Sequence, residues 1–261
     1  MQYEFSDIYV IVVIYNKNYA DSYTLKPLMN IKNINVIVVD NSTSNFNNSS
    51  IAKIPNFEYI NMNGNQGLSK AYNAAIKRIK KYGKLVCIFD DDTNIEEDYF
   101  KTALSYINSN LNSDIYLPIV KDNHGILSPS CLKKVSYCRI KDTDEITSEN
   151  VSAINSGMII KSEIFENYKY DENLFLDFID HDFIRTMKLK EKKIAIMNDN
   201  VITQNFSIIN DSVKKAKIRY KIKKKDLKYF YKNHLMVYYY IIFKHKIGLC
   251  YFQKSIKPLF W

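Results

Sequence analysis

Three unbroken runs of β-branched and apolar residues constrain the fold of this chain more than any other feature. Residues 8–14 read IYVIVVI, residues 36–39 VIVV and residues 85–89 LVCIF. A half-exposed strand alternates apolar and polar residues, so runs without a polar break suit strands covered on both faces, as in a parallel sheet between helices. Residues 57–60 predict a further, shorter strand. Between them lie segments for helices at 20–30, 67–81 and 96–110. The second carries Leu68, Tyr72, Ala75, Ile76 and Ile79 at helical spacing, and the third Tyr99, Phe100, Ala103, Leu104 and Ile107. Alternating strands and helices, with polar clusters just after the strands, predict a doubly wound α/β domain. Its ligand crevice should lie at the carboxyl ends of the strands. Beyond residue 112 the alternation loosens. Strands are expected at 114–120 and 152–160, with a loop-rich stretch at 124–150 between them. A helix at 179–191, short strands at 194–197 and 201–203, and one or two helices over 212–243 complete the reading.

The net charge of +9 on 261 residues is unevenly placed. From Ser212 to Trp261 there are fourteen Lys and Arg and a single acid, Asp226, so this segment carries +13 and the other 211 residues sum to −4. The expected organisation is a catalytic domain over 1–211, with halves 1–112 and 113–211, and a basic aromatic helical tail over 212–261. Hydrophobic residues at 46% and charged residues at 25% exclude a disordered chain. The four cysteines form no C-x-x-C pair, so no zinc site or disulfide framework is expected. The first residues carry Glu4 and Asp7 and no basic region, unlike a signal peptide. The longest apolar stretch, 235–243, is about half the length of a membrane span. A reduced, cytosolic setting is the expectation.

The local sequence richest in chemistry is IFDDDT at 88–93. Three consecutive carboxylates after a buried strand repel one another unless a cation compensates. In an extended segment Asp90 and Asp92 reach one crevice while Asp91 points elsewhere. Two hard oxygen ligands with open positions suit Mg²⁺ or Mn²⁺ shared with substrate phosphates. An acidic cap for the following helix would need only one of the three. Asp40 ends the second strand, where it can accept hydrogen bonds from a ribose or base, or simply shape a turn with Asn41 and Ser42. In NMNGNQGLSKAYNAAI (61–76), Gly64 and Gly67 allow backbone to approach a ligand at a helix start. The segment lacks both the Walker spacing and G-x-G-x-x-G. In FLDFIDHDFIRTM (175–187), Asp177, Asp180 and Asp182 crowd a helix start. Either a carboxylate there or His181 can serve as a general base, or the acids can pair with Arg185.

Together these segments resemble family 2 glycosyltransferases, and within them the rhamnosyltransferase-like branch of bacterial polysaccharide synthesis, capsular polysaccharide included. The resemblance rests on the first strand followed by Tyr15-Asn16, VIVVDNS, N-x-G-N-Q-G-L-S-x-A-x-N, the strand ending in DDD, NSGMIIK at 155–161, LFLDFIDHDF–R, and R-Y-x(8)-Y-F-Y-K-N-H at 219–234. It implies a GT-A fold that moves a sugar, with inversion, from a nucleotide diphosphate sugar (a UDP-hexose or dTDP-rhamnose) to a hydroxyl of a lipid-linked or polysaccharide acceptor. Tyr15 and Asp40 would hold base and ribose, with Asn16 among the nucleotide-sugar contacts. Asn63, Asn65 and Gly67 would lie near the diphosphate and donor sugar, and Asp91 would join the nucleotide-sugar contacts. Asp90 and Asp92 match the metal-holding D-x-D, and Asp180 matches the catalytic base, with His181, Asp182 and Arg185 in support. Relatives often place a metal-binding His after the last strands, where this chain has Gln204 and Asn205; an amide is the weaker ligand. A metal-dependent nucleotidyltransferase and a basic nucleic-acid-binding module are the alternative readings.

For the tail, the leading reading is attachment to an anionic membrane surface at the inner face of the cell membrane. Completion of the core beneath a solvated lysine face is the second, and nucleic acid the least favoured. A homodimer through the tail aromatics is the remaining expectation.

Overall fold

The structure is a computed structural model that describes residues 2–79, 82–133, 136–204 and 213–261. The strands are β1 (Ile8–Ile14), β2 (Asn35–Asp40), β3 (Phe57–Asn61), β4 (Leu85–Asp90), β5 (Ile115–Asp122), β6 (Gly125–Ser128), β7 (Ser130–Lys133), β8 (Ser136–Cys138), β9 (Val151–Ser152), β10 (Met158–Lys161) and β11 (Ile194–Thr203). The helices are α1 (Leu25–Leu28), α2 (Leu68–Ile76), α3 (Glu97–Ser109), α4 (Ile179–Leu189), α5 (Val213–Phe230) and α6 (Leu235–Gln253). The main sheet has the order β11-β5-β10-β4-β1-β2-β3, with β6 paired to β5. Strands β4, β1, β2 and β3 are parallel, and β10 runs antiparallel to both its neighbours.

The unbroken apolar runs are explained by burial on both faces. Alternate residues of β1 point to opposite sides. Ile11 and Val13 join Ile37, Val39, Val86 and Ile88 in the layer that includes α2 and α4. Val10, Val12 and Ile14 join Val36, Val38, Cys87 and Phe89 in the layer with α1 and α3. The last two helices and the turn between them enter the first layer through Tyr220, Leu227, Phe230, Tyr231, Tyr238 and Ile242. Burying one large apolar side chain is worth ~1.5–3 kcal/mol, so six of them bind the segment firmly to the domain. The expected boundary at residue 211 lies outside the described residues.

The stretch expected to be loop-rich, 124–150, contains β6, β7 and β8, and three expected elements change. The helix expected at 20–30 is a 3-10 turn, Tyr19–Asp21, followed by the short α1. The Asn18 side chain caps the turn by accepting Ala20 N–H, and Ser22 and Thr24 spend their hydroxyls on the backbone after β4 instead of on a helix. The strand expected at 152–160 splits into β9, part of the small sheet β8-β7-β9, and β10 of the main sheet. Gly157 turns the chain between them at φ +77°, where an added Cβ would sit 2.3 Å from Ile202 Cδ1. The two short strands expected after residue 193 are one strand, β11, whose register shifts between Met197 and Val201.

Candidate active site

The carboxyl ends of β1, β2 and β4 open onto a crevice of about 770 Å³. Strand β4 ends at Asp90, and residues 91 and 92 form a turn before α3. Thr24 Oγ1 pins that turn by donating to the Thr93 carbonyl (2.8 Å) and accepting the Thr93 N–H (3.0 Å), while Ser22 Oγ donates to the Asp91 carbonyl (2.7 Å). Because the chain is no longer extended there, strict alternation fails. Asp91 does not point away as expected: Asp90, Asp91 and Asp92 all line the crevice. Lys17 meets Asp91 at 3.0 Å. Asp90 is open to the crevice but walled by protein. Burial, and then the charges of Asp92, Asp180 and Asp91, push its carboxyl up to about 7. Burial also raises Asp91, against the pull of Lys17.

The other residues expected to meet the donor divide between two places. Tyr15, Asn16, Asn65 and Gly67 line the same crevice as the three aspartates. Asn65 Oδ1 accepts from Asn41 Nδ2 (3.2 Å) and from Gly67 N–H (3.2 Å), which shapes the turn into α2. Gly67 is required there on two counts: its φ is +87°, and a Cβ would stand 2.7 Å from the Phe175 ring and 2.8 Å from its carbonyl oxygen. Asp40 and Asn63 instead line a smaller neighbouring cavity of about 230 Å³. The Asp40 carboxylate is buried and accepts from Ser42 N–H (3.0 Å), Asn48 Nδ2 (2.8 Å) and the Tyr59 hydroxyl (2.9 Å). It organises the loop after β2, and that hydrogen-bonding pushes the Tyr59 phenol up to about 12 together with burial, the larger cause.

Asp180 lies in the first turn of α4, half-buried, close enough to act electrostatically on Asp90 and on the buried phenols of Tyr72 and Tyr170. Its Oδ1 accepts the N–H of His181. The His181 ring is engaged elsewhere: Nδ1 shares a 2.7 Å hydrogen bond with Ser152 Oγ, and the ring stacks on Tyr137 at 3.9 Å. Burial lowers its pKa. Asp182 pairs with Arg185, whose guanidinium sits 4.2 Å above the Phe230 ring and so ties α4 to α5. Phe178, just before α4, adopts φ +66°, a costly conformation for an aromatic residue, and is held there by contacts with Phe230 and Tyr231.

Part of the crevice wall was not expected. Lys215, Ile218, Arg219 and Ile222 of α5 line it with Phe175 and Leu176. The sequence signal was the run of cations, which fits a phosphate-bearing ligand as well as a lipid or nucleic acid surface. Lys17, Ser22 and Thr24 also carried no signal, because their partners lie some 70 residues away in the chain.

The residues present fit a divalent cation held jointly with a ligand. Crowded carboxylates that raise one another's pKa are relieved by a cation. Gln204, buried beside them, donates through Nε2 to Thr93 Oγ1 (3.0 Å) and Ser156 Oγ (2.7 Å), which leaves its buried Oε1 without a partner. Among the described residues no three His, Cys, Asp or Glu side chains are grouped for a metal, so phosphate oxygens and water would complete the shell. Asn205, the other candidate ligand, lies outside the described residues.

Comparison with known proteins converges on one class. The family model described as Glycosyl transferase family 2 matches residues 9–169. The dTDP-rhamnosyl transferase RfbF of Shigella flexneri is 28% identical over 184 residues, 68% of this chain and 62% of that protein. The match thus spans less than two thirds of that relative. The crystal structure of GalNAc-T7 with UDP, GalNAc and Mn²⁺ superposes with a TM-score of 0.59 at 12% identity, over 86% of this chain and 50% of that one. The superposition shows the GT-A fold.

Proposed function

Because the chain belongs to glycosyl transferase family 2, and is therefore a glycosyltransferase, we propose that its crevice takes a nucleotide diphosphate sugar and passes the sugar, with inversion, to a hydroxyl of a lipid-linked or polysaccharide acceptor. The rhamnosyl relative supports dTDP-rhamnose as the first donor to test, ahead of UDP-hexoses. The arrangement that carries this reading is a single cavity lined by Asp90, Asp91 and Asp92 and by Lys215 and Arg219. Asp180 is not part of that lining but is near enough for its charge to act on Asp90. Cations and metal-binding carboxylates in one cavity are what a diphosphate needs.

Asp90 and Asp92, with the Gln204 carbonyl oxygen nearby, would hold Mn²⁺ or Mg²⁺. The bound ion offsets negative charge on the departing diphosphate. Asp180 takes the proton from the acceptor hydroxyl as that oxygen bonds to the anomeric carbon from the side opposite the diphosphate. The bond from the anomeric carbon to the diphosphate oxygen breaks, and the nucleoside diphosphate leaves with the electron pair. Asp182 and Arg185 keep α4 in place, and the Asn65–Gly67 turn brings backbone against the donor.

The test is release of nucleoside diphosphate from dTDP-rhamnose and UDP-hexoses with and without Mn²⁺. Asp180→Asn should lower turnover by ~10²–10⁴-fold, the usual worth of a positioned base, without changing the melting temperature or donor affinity. Asp92→Asn should lose turnover together with its manganese dependence. An Asp180→Asn enzyme that turns over at the wild-type rate would remove Asp180 from the base role.

A further inference from the structure

Helix α6 is apolar on two opposite faces. Its inner face sends Tyr238 and Ile242 into the core. Its outer face carries Met236, Tyr239, Tyr240, Phe243, Ile247 and Tyr251, all exposed, Met236 by 87% and Tyr251 by 81%. At 100° per residue these six fall on one stripe about 22 Å long. Single exposed apolar residues are ordinary, but a continuous stripe of six large ones marks a contact surface.

The charges around the stripe identify what it meets. In helical projection Lys244 and Lys246 flank it, each about 80° from its midline, and Lys254 follows at its end. Lys246 Nζ also donates to the Leu259 carbonyl at 2.8 Å. From Leu235 to Trp261 there are four lysines and no Asp or Glu. Helix α5, which packs on α6, adds Lys217, Lys221, Lys224 and Lys228, all exposed and at helical spacing. A second copy of the chain is a poor occupant, since two-fold pairing would face lysine rows against each other with no carboxylate between them. No described helix is long and apolar enough to cross a membrane, and the inner face of α6 is committed to the core.

The geometry points to α6 lying in the plane of an anionic lipid surface. Its aromatic stripe sits at the boundary between headgroups and acyl chains, and Lys244 and Lys254 put their ammonium groups on lipid phosphates, whereas the Lys246 ammonium stays on the Leu259 carbonyl. Through α5, which lines the crevice with Lys215 and Arg219, this face lies one helix away from the proposed donor site.

Flotation of the full chain with lipid vesicles tests the assignment without any sugar substrate. The protein should float with equimolar phosphatidylglycerol–phosphatidylcholine vesicles, remain behind with phosphatidylcholine alone, and release as salt is raised. The double variant Tyr240→Glu, Phe243→Glu should lose on the order of tenfold or more in bound fraction at an unchanged melting temperature, because both side chains are exposed. Lys244→Glu with Lys254→Glu should weaken binding and flatten its salt dependence. Equal flotation of wild type and the double glutamate variant would overturn the assignment, as would no flotation with anionic vesicles. So would a wild-type dimer in sedimentation that the same variant dissolves, which would give the stripe to a second copy.

Discussion

Arg219 stands where two charge systems meet. Its guanidinium grips the Asp177 carboxylate through both terminal nitrogens, at 2.5 and 2.8 Å, and the same side chain lines the crevice that holds the three aspartates. A guanidinium fork suits a carboxylate and a diphosphate equally well, so the proposed donor would compete with Asp177 for it. Charge-assisted hydrogen bonds contribute ~1.5–3 kcal/mol, and the side chain is half exposed, so Arg219→Ala should raise the donor KM by about tenfold with a smaller change in kcat. Arg219→Lys should not recover it, since a lysine cannot form the fork. An unchanged donor KM in both variants would leave Arg219 a purely structural partner of Asp177. Residues differ in how much of this was readable beforehand. Gly67 is visible in the sequence as a loop glycine before a helix, but the reason for it, Phe175, lies more than 100 residues on. Asp40 is visible as a strand-end carboxylate, while its three internal hydrogen-bond donors come from Ser42, Asn48 and Tyr59, and only the fold brings Tyr59 beside it.

Helix α5 shows how one acid among many bases is used. Asp226 is fully buried and accepts the N–H groups of Phe175 (3.1 Å), Leu176 (2.8 Å) and Asp177 (2.9 Å), so it holds the segment that leads into α4 and Asp180. The Tyr229 hydroxyl, one turn on, donates to Asp171 at 2.7 Å and grips the start of the same segment. Asp226→Ala would leave three backbone donors without an acceptor. Each unsatisfied buried group costs ~1–3 kcal/mol, partly recovered by entering water, so a loss of about 3 kcal/mol is expected in urea unfolding. Turnover should fall with it, because the approach to Asp180 is loosened. Asp226→Asn, which retains one oxygen, should lose less, and an Ala variant within about 1 kcal/mol of wild type would mean the segment is held by other contacts. Elements with a strong periodic signal were legible from sequence: β1, β2 and β4 as unbroken apolar runs, α3 by Phe100, Ala103, Leu104 and Ile107, all buried. The 124–150 stretch was not, since β6 to β8 are three or four residues long and mix Ser, Lys and Gly with their apolar residues. Nor was the break near residue 22, where Ser22 and Thr24 bond to a turn that sequence proximity does not reveal.

At the scale of the whole molecule, the basic segment has three surfaces with different tasks: a buried one in the core, one lining the crevice, and a solvent-facing one rich in lysine on α5 and in aromatics on α6. Charge counting from the sequence registers only the third, because it records how many cations there are and not which way the helices turn. The seam between α5 and α6 contains a titratable group that reports on their docking. His245 stacks on Tyr220 with ring centroids 6.0 Å apart, and its pKa is lowered to about 4, first by burial and then by Lys223 and Arg219, with Asp177 acting in the opposite sense. The folded chain therefore keeps His245 neutral at a pH where the unfolded chain, at the ordinary value of 6.5, takes up a proton. Stability rises with pH wherever the unfolded state binds more protons. His245 thus costs nothing above 6.5, removes stability progressively as pH falls from 6.5 to about 4, and adds no further loss below that. A tenfold difference in proton affinity between the folded and unfolded chain is worth ~1.4 kcal/mol, and partial exposure of the ring reduces the effect, so the loss between pH 7 and pH 5 is about 1–2 kcal/mol. For a chain of this size that lowers the melting temperature by roughly 2–6 °C. His245→Phe keeps the ring stacked on Tyr220 and removes the titration, so the drop it shows between those two pH values should be smaller by that amount. Parallel melting curves for wild type and variant would mean that His245 titrates alike folded and unfolded, and that the α5–α6 seam is open to water.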